Sequence, residues 1–159
     1  LVIAAYCDAR RARGESVTPT DLWYAIESDR TFRHQAMRLA ERQRAHQAHV
    51  YTYLFTWPSP IMGGRMGAGH AVEIPFVFGT LEEPLVAPFA GQGDDALGLA
   101  MAMQDGWIEF AHGGTPGHSH LPAWPSYDGT TRQTMVLGAR CELVAAPREP
   151  ERAVWDRLP

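Results

Sequence analysis

VYTYLFTW, residues 50–57, decides the architecture of this chain. Its β-branched and aromatic residues alternate strictly, so Tyr51, Tyr53, Phe55 and Trp57 point to one side and Val50, Thr52, Leu54 and Thr56 to the other. Neither side is polar, which is the pattern of an inner strand covered on both faces by helices. Pro58 and Pro60 then end it. One such strand cannot make a sheet. The only other strand material is QTMVLGARCELVAA, residues 133–146, which reads as two short strands joined around Gly138. The reading is an α/β layout whose sheet is incomplete in this chain.

Helical patterns surround that strand. Residues 2–13 carry an apolar face and end on Arg10, Arg11 and Arg13, cations that suit a helix C-terminus, with Gly14 as the stop. Thr18, Pro19 and Asp21 open a second helix in a near capping box. A third is expected from Ser28 or Asp29 to about Gln47, with Phe32, Ala36, Leu39 and Ala40 recurring at helical spacing and its arginines on a solvated face. Residues 80–93 read as an irregular loop. Residues 94–111 read as a strong helix closed by Gly113 and Gly114, and REPERAVWDRL, residues 148–158, as a terminal helix.

Composition excludes several function classes. At 159 residues the chain fits one domain, and 45% hydrophobic against 20% charged residues is ordinary globular balance. The net charge of −4 leaves no electrostatic footprint for nucleic acid or an anionic membrane. No apolar run approaches the roughly 18–20 residues that span a bilayer. All fourteen basic residues are arginine, so no Schiff-base, Walker or Ser–Lys chemistry resides here. Cys7 and Cys141 are too few and too far apart for a disulfide framework; they read as buried free thiols, with a bridge, which would need an oxidising compartment, as the alternative. Leu1 opens what reads as a helix entered midway, with no leader. The expectation is a piece of something longer, its compartment left open because any leader would precede Leu1.

Chemistry concentrates in GAGHAVEIPFVFG, residues 67–79. In open α/β sheets ligands bind beyond the carboxyl ends of the strands, and His70 lies on the loop that leaves that end of the 50–57 strand. Gly67 and Gly69 permit tight turns beside it. A histidine there suits a general base, since this residue type takes and returns protons near neutrality. The structural alternative, a lone histidine with no catalytic duty, stays open on position alone.

The same stretch resembles the catalytic-histidine segment of type B carboxylesterases, the cholinesterase-like and para-nitrobenzyl esterase-like branch of the α/β-hydrolases. There an acidic residue follows the histidine by three positions and an IPFVFG-like run comes next. SDRTFRHQAMRLAERQ (28–43), VYTYLFTWPSP (50–60), MQDGWIEFAHGGTPG (103–117), LPAWPSYD (121–128), RQTMVLG (132–138) and ERAVWDRL (151–158) follow in the family's order. The resemblance spans residues 1–159 as a single segment corresponding to the family's C-terminal third. It implies an α/β-hydrolase fold and a serine esterase with a serine–acid–histidine triad acting on a small-molecule ester, without a cofactor. His70 takes the position of the triad base. Glu73 takes the acidic position after it, as a buried carboxylate supporting the pocket rather than as the triad acid.

The departures bear on activity. GxSxG occurs nowhere; GHSHL, residues 117–121, lacks the second glycine and the strand-to-helix setting. HGG, residues 112–114, imitates an oxyanion-hole motif but falls where a helix ends, so glycine capping accounts for it. With serine, acid and oxyanion hole all expected upstream, the missing N-terminal part of the same protein is the implied partner, and the fragment alone is expected to be inactive. Two other readings remain: a cholinesterase-like interaction domain or remnant without catalysis, and a histidine–metal module. The second would use His112, His118 and His120, or His46 and His49, but residues 110–127 hold no cysteine or carboxylate and two histidines alone do not make a site, so no metal site is expected. GGRMGAG has no GK[ST], which argues against phosphate binding.

Overall fold

A computed structural model describes residues 1–117 and 120–158. The elements run α1 (Val2–Ala12), α2 (Pro19–Ser28), a π-helical segment (Asp29–Arg33), α3 (His34–Arg44), β1 (Tyr53–Phe55), a 3-10 turn (Ile61–Gly64), α4 (Ile74–Phe78), α5 (Ala87–Ala90), α6 (Asp94–Gly113), β2 (Gln133–Leu137), β3 (Glu142–Ala145) and α7 (Glu149–Trp155). Residues 80–93, expected to be irregular throughout, contain the single turn α5.

The sheet has three strands in the order β1-β2-β3. β1 runs parallel to β2 with Leu54 opposite Val136, and β2 runs antiparallel to β3 with Met135 opposite Leu143. The parallel step requires a crossover, which here carries α4, α5 and α6. The main-chain bonds from Met135 N–H to Thr52 C=O at 3.0 Å and from Thr56 N–H to Leu137 C=O at 2.7 Å extend the ladder beyond β1. Those even-numbered residues turn their backbone towards β2, so Tyr53 and Phe55 turn theirs to the opposite edge. No described strand pairs there. The expected inner strand is therefore an edge strand among the described residues, shortened because it is paired on one side only.

Its aromatic face is the one the alternation predicts. Tyr51 meets Phe110 at 5.8 Å between ring centroids, Tyr53 meets Trp107 at 5.1 Å, and Phe55 and Trp57 meet Phe76 at 5.4 and 5.7 Å. These edge-on and tilted pairs suit the ring quadrupoles. They seat β1 on α4 and α6, whose Phe76, Leu99 and Met103 join Met135 and Leu137 in the main core. A second cluster gathers Tyr6 of α1, Leu22 of α2 and Val154 of α7. A third joins Ala40, Val50 and Tyr127.

The second and third helices are not separate. Ser28 keeps helical angles (φ −61°, ψ −43°), and the chain passes from α2 through the π segment into α3. Asp29, which reads in sequence as a helix opener, is buried instead. It accepts the Tyr6 hydroxyl at 2.6 Å and a bidentate Arg33 guanidinium at 2.7 and 2.6 Å, while Trp155 Nε1 donates to the Tyr6 oxygen at 2.7 Å. Burial and the Asp29 carboxylate push the Tyr6 hydroxyl well above its ordinary value. The arginines are likewise divided. Arg33 also reaches the Pro147 carbonyl and Arg44 the Tyr127 carbonyl, whereas Arg38 and Arg42 are exposed. The apolar stripe Phe32, Ala36 and Leu39 faces outward, and only Ala40 of that set is buried.

Capping follows the sequence. The Thr18 side chain accepts the Asp21 N–H, and Gly114 closes α6 in the left-handed region at φ 74° with its N–H on the Phe110 carbonyl. Both cysteines are free and half-buried.

Candidate active site

The path from β1 to His70 is a pinned loop. Trp57 Nε1 donates to the Ala90 carbonyl at 2.8 Å, and the fully buried Ser59 donates its hydroxyl to the Phe89 carbonyl while its N–H binds the Gly67 carbonyl at 2.9 Å. These bonds bring the segment back beyond the carboxyl end of β1 into the turn at residues 70–73. Gly67 sits at φ 61°, and a Cβ at Gly69 would lie 2.8 Å from Met66 Cε. The positive φ makes glycine the favoured residue at 67, whereas a side chain at 69 would need only the flexible Met66 side chain to move.

Immediately after His70, Ala71 occupies φ 69°, a left-handed conformation that costs a non-glycine residue energy. Val72, wholly buried, anchors the next position, and α4 begins at Ile74 with Phe76 in the core. The turn is held by its apolar successor residues and leaves the imidazole exposed. No described side chain hydrogen-bonds to it. Among the described residues the ring of Phe32 stacks on it, 5.1 Å away between centroids at an interplanar angle of 16°. Sequence reasoning had no signal for that contact, since Phe32 reads there as one residue of a core-facing helical stripe.

Glu73 is half-buried, less enclosed than the buried carboxylate expected at its position. It stands near enough to Tyr53 that, after burial, its charge is a second cause raising that hydroxyl above its ordinary value. Phe76 and Trp57 belong to the core or its margin, while Phe78 is 73% exposed.

No other described histidine pairs with the His70 ring or hydrogen-bonds to it. His112 is exposed at the end of α6, and the HGG segment is a glycine-capped helix terminus. His120 Nε2 lies 3.5 Å from Asp105 Oδ2 on the surface. His118 and Ser119, the centre of GHSHL, lie outside the described residues. Among the described residues no three His, Cys, Asp or Glu side chains gather closely enough to hold a metal ion. Nor is any helix among them long and apolar enough to cross a membrane.

A parallel strand followed by a histidine-bearing loop, with helices packed on the sheet, is an α/β arrangement, and its likeness to solved carboxylesterases makes it part of an α/β-hydrolase fold. The chain belongs to the carboxylesterase family, whose model matches residues 2–155. It is 30% identical over 127 residues to the phenmedipham hydrolase of Pseudarthrobacter oxydans, covering 79% of this chain and 26% of that protein. It is 33% identical over 125 residues to the para-nitrobenzyl esterase of Bacillus subtilis, covering 79% and 25%. A solved carboxylesterase of Geobacillus stearothermophilus superimposes with a TM-score of 0.78 at 34% identity, over 96% of this chain and 31% of that one. The chain thus spans about a quarter of the length of the curated relatives it matches.

Proposed function

We propose that residues 1–159 form the C-terminal segment of a longer serine esterase and supply its general base, His70. The observation that carries this reading is the exposed imidazole on a strained turn just beyond the carboxyl end of a parallel strand whose outer edge is open. Family membership supports ester hydrolysis as the reaction. The nucleophile, the triad acid and the oxyanion donors come from the remainder of the polypeptide, and this segment alone turns over no ester.

In the complete site His70 accepts the serine hydroxyl proton as the oxygen attacks the ester carbonyl carbon. The tetrahedral oxyanion forms against backbone N–H donors. The bond to the alcohol oxygen then breaks, and His70 returns the proton to that leaving oxygen. Water repeats the sequence on the acyl-enzyme, with His70 again taking the proton, and releases the carboxylic acid. Glu73, beside Tyr53 at the base of the turn, supports the wall of the pocket and takes no proton.

The test starts from the complete reading frame that contains this chain, expressed and assayed with a p-nitrophenyl ester. An HGG loop, a GxSxG elbow and a later acidic residue are expected in that frame. His70→Ala is expected to lower kcat by about 10³-fold or more with the thermal melt unchanged. A frame without the serine makes this a non-catalytic relative. A loss under about tenfold refutes the assignment of the base.

A further inference from the structure

We propose that Phe32 is a positioning residue for His70, its ring serving as the platform on which the imidazole stacks and against which its positive charge develops. This inference rests on the reading of His70 as the base.

Three observations converge on it. The two rings are nearly parallel, 16° apart with centroids at 5.1 Å, the geometry of a stacked pair. Phe32 remains 53% exposed and belongs to none of the three core clusters, so the core of this segment does not account for its position. The backbone beneath it is fixed from the opposite side. Phe32 lies in the π segment Asp29–Arg33, whose two end residues are locked together by the bidentate Arg33–Asp29 pair and tied to α1 through Tyr6.

On the other side of the contact the His70 turn is equally fixed, by the left-handed Ala71 and the buried Val72. The ring pair therefore joins two rigid supports. A base must keep its nitrogen within hydrogen-bond reach of the proton it takes, and a small misplacement costs rate. Stacking limits rotation of the imidazole to the plane of the Phe32 ring. Accepting the proton also puts a positive charge over an aromatic face, which attracts it. The contact Phe32 makes is with the imidazole, so its effect is exerted through His70.

The experiment compares, in the complete esterase, two variants without a ring, Phe32→Leu and Phe32→Met, with two that keep one, Phe32→Tyr and Phe32→Trp. Each is read by its melt and by the pH profile of kcat/KM on a p-nitrophenyl ester. The ringless pair is expected to lose roughly three- to tenfold in kcat with KM held within about twofold, and to move the acidic limb of the profile to lower pH. The aromatic pair is expected to restore both. Unchanged kcat and acidic limb in the ringless pair overturn the proposal, as does an aromatic pair that behaves like the ringless one. His70→Ala separates the two layers. If it abolishes turnover while the Phe32 series is flat, only the platform fails; if it leaves turnover intact, the base assignment fails with it.

Discussion

Asp29 shows how far a single residue's meaning depends on what lies across from it. Its place between Ser28 and Arg30 makes it look like a helix opener in sequence, yet it is buried and holds the Tyr6 hydroxyl and the Arg33 guanidinium together. A buried pair broken from one side leaves an uncompensated charge. Asp29→Ala is therefore expected to destabilise the intact polypeptide by about 3–5 kcal/mol, read by denaturant unfolding. Asp29→Asn, which keeps acceptors in place, should cost less; equal and small losses for both would show that the cluster is solvated. The mark that singles out His70 in sequence, its glycine-flanked position and apolar sequel, is local, whereas its stacking partner Phe32 is remote in the chain and carries no local mark. The half-burial of Glu73 has no local mark either, since it depends on how the turn packs.

Elements built from periodicity came through where both partners lie in this chain. The alternating aromatic face of β1 is found against α4 and α6, and the glycine closing α6 takes the left-handed conformation its position demands. The stripe Phe32, Ala36 and Leu39 was equally periodic but faces outward. Periodicity reports that a face is apolar, not which neighbour covers it, and here no described element does. The π segment carries no periodic mark in the sequence; it coincides with Asp29, whose contact with Tyr6 is remote in the chain. Charged pairs at the chain's ends give the elements a pH dependence. The Arg13 guanidinium holds the Glu15 carboxyl below its ordinary range, and Arg152 does the same for Glu149 at the first turn of α7. A carboxyl depressed on folding contributes stability above its unfolded value, about 4.3, and loses it as pH falls through the lower folded value. The melt is expected to be flat from pH 7 to 5 and to fall below about pH 4. Glu149→Gln should lower it slightly at pH 7, since the pair is partly exposed, and lower it less at pH 3. A variant equally impaired at both pH values would assign Glu149 a packing role instead.

At the scale of the molecule, apolar surface is distributed as it is on a part rather than on a finished body. β1 turns the backbone of Tyr53 and Phe55 to an unpaired edge, and Tyr53 itself is 42% exposed. Phe32 and Leu39 on the long helix and Ile74 and Phe78 on α4 are exposed as well, the last at 73%. An open strand edge beside exposed aromatic and aliphatic side chains is a template for pairing with another chain and a surface that water disfavours. Large exposed apolar side chains of this kind each represent about 1.5–3 kcal/mol of burial not realised. The 159-residue chain produced alone is accordingly expected to self-associate or to stay loosely packed, binding a hydrophobic dye and melting broadly. The same residues within the complete reading frame should give a soluble protein with a single cooperative transition. A sharp melt from a monodisperse monomer of the isolated chain, read by scattering and calorimetry, would mean that its own two larger cores suffice. The open edge and exposed rings would then be native surface, and only the proposed chemistry would call for further sequence.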